Sequence, residues 1–175
     1  MPEATMIDRY QAYRTRRFLE RETTYARWLP GWRRQRRRRL LVSILVAAIT
    51  AMFAVSVLCA FGVRLAPLLW IPACLVYLPA WFALHIASGR QGDAPLGALD
   101  EYELAQRNDA RSIGLTVTQY LMFVPIGYLI VGSTITGGTD ENMAYAGGLM
   151  ATTVLIVGAC VPTMILGWNR PDPGA

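Results

Sequence analysis

From Leu40 to Val63 the chain reads LLVSILVAAITAMFAVSVLCAFGV, 24 residues without a charged side chain. As a helix rising ~1.5 Å per residue, that stretch is roughly 36 Å long, enough to cross a hydrocarbon core of about 30 Å. Three further uncharged segments follow, at 65–86, 113–135 and 147–168. A polar stretch, 88–112, separates the second from the third. The pattern predicts an all-α membrane protein, with four transmembrane helices in an antiparallel bundle.

All 17 basic residues are arginine. Arginine holds its proton under all ordinary conditions and is less strongly hydrated than lysine, so it tolerates lipid headgroups. Its exclusive use also suits a GC-rich bacterial genome. Twelve arginines precede the first span, and Arg90, Arg107 and Arg111 lie between spans two and three. Arg170 follows span four, and Arg64 alone falls on the other side. With four spans, the excess of positive charge on the cytoplasmic side puts both termini in the cytoplasm of a bacterial plasma membrane.

Three regions result: a basic cytoplasmic segment (1–39), the four-helix membrane domain (40–168) and a short cytoplasmic tail (169–175). The first is too short and too charged to bury a core of its own. Nor does it read as a secretory leader, because its apolar stretch starts late, runs long and lacks a small-x-small cleavage site. Met6, Tyr10, Tyr13 and Arg17 follow helical spacing, which predicts an amphipathic helix lying on the membrane surface or on a partner. The sequence Leu29-Pro30-Gly31-Trp32 ends it, and Trp28 and Trp32 suit the interface as anchors.

The run RRQRRRR, with Arg33, Arg34, Arg36, Arg37, Arg38 and Arg39, abuts the first span. No DNA-binding fold fits before it, so nucleic acid is not the expected partner. Juxtamembrane basic clusters bind anionic lipid headgroups, at about 1 kcal/mol per residue near the surface. An acidic partner face, or the chain's own Asp100, Glu101 and Glu103, are the other readings of the run.

In the inner loop, Asp100 followed by Glu103 reads as an N-cap with a capping box, flanked by Leu99 and Leu104 as a hydrophobic staple. Glu103 and Arg107 form an i,i+4 pair in the favourable order. A helix starting near Glu101 and continuing into span three would project from the membrane. Asp100, Glu101, Glu103, Arg107 and Arg111 are therefore candidate partner-docking residues. Gln119 joins them from the polar cluster Thr116, Thr118, Gln119 and Tyr120 within span three, because an amide hydrogen-bonds between membrane helices. The outer segment TGGTDENMAYAGG reads as a flexible loop with too few oxygen ligands for calcium.

Embedded enzymes and ion-coupled transporters need ionisable groups at depth. None of the four spans contains Asp, Glu, Arg or Lys, and His85 sits at the inner end of span two beside Ser88. Cys59, Cys74 and Cys160 fall inside spans without metal-ligand spacing. The expectation is no catalytic residue, no metal and no cofactor. Ala47-x-x-x-Ala51, Ser133-x-x-x-Gly137 and Gly158-Ala159-Cys160 read as helix-packing positions. Pro72, Pro79, Pro125 and Pro162 read as kinks within spans.

The arginine run and the pattern L-D-E-x-x-x-x-x-R-x-x-A from Leu99 to Ala110 resemble small, lysine-poor, four-span membrane proteins of mycobacteria and related actinobacteria. Such proteins include accessory subunits of larger inner-membrane machines. The resemblance implies a non-catalytic subunit that stabilises or regulates a complex of integral membrane subunits, with a Mce-family lipid importer favoured as host. A respiratory supercomplex is the alternative host, although a haem- or quinone-linked subunit would more often show buried histidines. A small homo-oligomeric transporter, an enzyme and a signalling protein are the other classes. Four-span multidrug exporters carry a membrane-embedded glutamate that this chain lacks.

Overall fold

The computed structural model describes residues 6, 10, 12, 13, 15–17, 20, 34–88 and 100–169. Trp28, Trp32, Arg33, the Pro30-Gly31 break, residues 89–99 of the inner loop (with Arg90 and Leu99) and the tail beyond Asn169 lie outside the described residues. Every regular element described is helical: α1 (Gln35–Ala60), a 3₁₀ turn (Ala66–Leu69), α2 (Trp70–Ala87), α3 (Glu101–Thr136) and α4 (Glu141–Asn169). Among the described residues, four helical stretches are long and apolar enough to cross a membrane, the 3₁₀ turn and α2 counting together as one.

Helix α1 turns a regular stripe inward: Leu41, Val42, Leu45, Ala48, Ile49, Met52, Val55, Ser56 and Cys59. It packs against α2 on one side and α4 on the other, and α4 in turn carries α3. Leu41, Val42 and Leu45 meet Ala80 and Leu84, while Val55 and Cys59 meet Ala66 and Ala146. Those pairings run α1 and α2 antiparallel. Both environments are apolar inside a bilayer, so this burial gains close packing and dispersion rather than escape from water.

The α3–α4 contact is built on glycine. A Cβ on Gly114 would lie 3.0 Å from two ring carbons of Pro162, and one on Gly132 would lie 2.8 Å from the Met143 sulfur. Gly158 is pressed against Thr118, and Gly147 against Leu129. The paired numbers fall on one side as they rise on the other, so these helices are also antiparallel. Gly158 is thus a packing position, as its neighbourhood in the sequence suggests. Ala47 and Ala51 are not: both are exposed, on the side of α1 away from its neighbours.

Several boundaries differ from the sequence reading, each for a local reason. Helix α1 ends at Ala60 rather than running to Val63, because Gly62 adopts φ +70°. The Gly62 N–H donates to Cys59 O at 3.0 Å and the Val63 N–H to Leu58 O at 3.3 Å, the paired bonds of a Schellman motif. Gly137 acts similarly at φ 62°, closing α3 with the Gly138 N–H on Ser133 O at 3.1 Å. It terminates a helix instead of packing one. The expected flexible outer loop shrinks to residues 137–140, because Asp140 Oδ1 accepts the Asn142 N–H at 2.9 Å and α4 starts at Glu141. Pro72 sits in the first turn of α2, where the backbone N–H would have no helical acceptor, so it opens no kink. Pro79, Pro125 and Pro162 are interior.

Helix α3 spans 36 residues, roughly 54 Å, far longer than a hydrocarbon core of about 30 Å. Asp100 caps it, accepting the Glu103 N–H at 2.7 Å. Only 11% of its apolar window is buried, against 44% for α1. Helix α1 is therefore the most buried of the four and α3 the least, with one long side of α3 resting on α4.

Candidate functional site

The end of the molecule where α1 and α3 begin and α2 and α4 finish gathers the candidate residues. Within the arginine run Arg34, Arg36, Arg37 and Arg39 are exposed. The Arg39 guanidinium lies 4.9 Å from the ring centroid of Trp168, a cation–π contact tying the start of α1 to the end of α4. Beneath it, Val42, Met164, Ile165, Trp168 and Asn169 line an open, mainly apolar hollow of about 240 Å³.

Arg38 behaves differently. It is 1% exposed, as buried as the core leucines. The sequence reading put it on the lipid surface with its neighbours; the structure turns it inward. The reason is periodicity: Arg38 stands three, four and seven residues before Leu41, Val42 and Leu45, and so continues the inward stripe of α1 by one turn. Arg107 repeats the pattern. Expected to dock a partner, it is 5% exposed and aligned with the buried Ala110 and Gly114 of α3. Both arginines engage other groups of the chain. Taking such charges out of water costs several kcal/mol each unless they are matched, so they serve the protein's interior. Tracing the apolar stripe one turn back from its first leucine, Leu41, would have found Arg38; charge counting conceals it.

Of the remaining docking candidates, Asp100 and Glu101 are exposed at the tip of α3. Glu103 is half-buried and Arg111 exposed, and each makes contacts within the chain. Gln119 is exposed on α3, well away from the others. The structure thus brings Asp100, Glu101, Glu103, Arg107 and Arg111 onto one helical segment and leaves Gln119 apart.

His85 stacks on Trp81, centroids 5.4 Å apart and planes 23° from parallel, and its carbonyl accepts the Ser88 hydroxyl at 3.2 Å. Among the described residues no group of three or more His, Cys, Asp or Glu could hold a metal ion. The three cysteines are free thiols, and Cys160 Sγ lies 3.3 Å from the Tyr77 hydroxyl between α4 and α2.

Searches with family models, among curated proteins and among solved structures each returned no match for this chain. The helices themselves define a class: their four candidate spans fit a multi-pass membrane protein.

Proposed function

We propose that this chain is a non-catalytic accessory subunit that stabilises or regulates a multi-subunit complex of the bacterial plasma membrane, most favourably a Mce-type lipid importer. In this reading its four helices form an antiparallel bundle, with both termini and the basic end in the cytoplasm and an amphipathic N-terminal helix along the surface. The observation that carries it is the reach of α3. The capped helix extends about two turns beyond Arg107 and presents exposed Asp100 and Glu101 at its tip, an acidic handle at the same end of the molecule as the exposed arginines of α1. Such a handle suits docking on a cytoplasmic face of a larger subunit. Exposed Arg34, Arg36, Arg37 and Arg39 suit anionic lipid headgroups around it, each contributing about 1 kcal/mol near the surface.

The lean towards a lipid importer over a respiratory host rests on the chain's single histidine, His85, engaged in stacking on Trp81. The test is purification of the full chain under gentle detergent, with Glu101→Arg as the companion variant. The proposal expects host subunits to accompany the parent protein and to be depleted from the variant. Equal recovery with both would remove the acidic handle from the account.

A further inference from the structure

We propose that two copies of this chain pack against each other through the outer face of α3, beyond any contact with host subunits. The residues turned to α4 are Ala110, Gly114, Thr118, Pro125, Leu129 and Gly132. At 100° per residue, the stripe on the opposite side of the helix is Ser112, Thr116, Gln119, Phe123, Gly127 and Ile130. A helix face that meets only lipid is expected to be aliphatic, yet four of these six residues are small or polar. Phe123 and Ile130 are 69% and 61% exposed, and a Cβ on Gly127 would meet nothing within 4 Å.

Gln119 gives the stripe its meaning. The midpoint of α3 between its last arginine, Arg111, and its terminating Gly137 is residue 124. Gln119 is five residues from that point, about 7.5 Å along the axis, well inside a half-core of about 15 Å. Its side chain is exposed and makes no hydrogen bond to any described residue, and the same holds for Ser112 and Thr116. By contrast, Thr118, on the packed side, donates to Gly114 O at 2.7 Å. A primary amide bare to hydrocarbon is costly, so a second polar surface at the same depth satisfies it.

A second copy supplies that surface without further requirement. Copies share one membrane topology, so two α3 helices related by a twofold axis along the membrane normal run parallel and place identical residues at identical depth. The amide donates and accepts, and so does each hydroxyl, so the stripe complements itself. Its membrane portion holds no charge to repel its twin.

The test places a photo-crosslinking phenylalanine analogue at Phe123, leaving Gln119 intact, with the same probe at Leu75 of α2 as the lipid-facing control. The full chain is reconstituted in bilayers across a range of protein-to-lipid ratios. The expected result is a crosslinked band at twice the chain's mass from position 123, persisting on dilution in lipid, and none from position 75. Gln119→Leu should raise the dimer dissociation constant roughly three- to fifteen-fold, with Gln119→Asn retaining most of the association. Lipid adducts alone, crosslinking in native membranes to a different protein, or a dimer indifferent to Gln119→Leu would each overturn the proposal. Host subunits are monitored in the same membranes, so loss of the dimer with the host still attached defeats this inference and leaves the accessory role standing.

Discussion

Replacing Gly158 by alanine puts a single methyl group into the α3–α4 contact. The added Cβ would overlap the Thr118 side chain, whose hydroxyl is already committed to Gly114 O at 2.7 Å. Turning Thr118 away breaks that bond, and leaving it in place forces the helices apart. Overpacking of this kind costs about 1–3 kcal/mol. Alanine at a glycine inside a helix returns up to about 1 kcal/mol through backbone entropy. Gly148, ten residues earlier in α4, isolates that gain, because a Cβ there meets nothing within 4 Å. Gly148→Ala should therefore stabilise by as much as ~1 kcal/mol, while Gly158→Ala should be neutral to destabilising by ~2 kcal/mol. Equilibrium unfolding of both variants in mixed detergent micelles, followed by circular dichroism, measures the gap. Equal stabilisation by the two substitutions would show that α3 does not rest on α4 at Gly158.

The two classes of arginine should separate cleanly: Arg38→Met lowers unfolding stability by about 3–5 kcal/mol if the buried charge is matched, whereas Arg36→Met leaves stability within ~0.5 kcal/mol. Reconstituted in bilayers of mixed charge, Arg36→Met should gather fewer anionic lipids around the protein, weakening headgroup association by about 1 kcal/mol, whereas Arg38→Met should leave that enrichment unchanged. Asp100→Ala removes the α3 cap at a cost of ~1 kcal/mol, and hydrogen exchange should accelerate over the first turns of α3 and not in α1. Because Asp100 is structural in this way, Glu101→Arg is the cleaner probe of the acidic handle, and depletion of host subunits with α3 exchange unchanged is the expected result.

Much of the helical layout is legible in the amino-acid sequence, and the misreadings share a cause. Long uncharged runs announce membrane helices because nothing else tolerates them, and all four candidate spans are present. The Asp100 cap is readable because the spacing of a capping box is local. Gly62, Gly137 and Gly147 illustrate the ambiguous residue: glycine ends a helix, opens a loop or lets helices touch, and only the surroundings decide. Gly147 reads both as loop and as the start of a span and is a contact point for Leu129, while Gly137 reads both as loop and as a contact and is a terminator. Arg38 and Arg107 are misplaced when charge is weighed by composition and side of the membrane, whereas helical phase determines which arginine of a cluster faces inward.

The most direct test of the accessory role is the composition of what the full chain brings with it. Isolated at native expression in gentle detergent through a C-terminal tag, it should carry a stoichiometric set of permease, ATPase and lipid-carrier subunits, read by mass spectrometry. Cytochrome subunits in their place would keep the role and change the host. Recovery of the chain alone, as a monomer or as a dimer, would contradict the account.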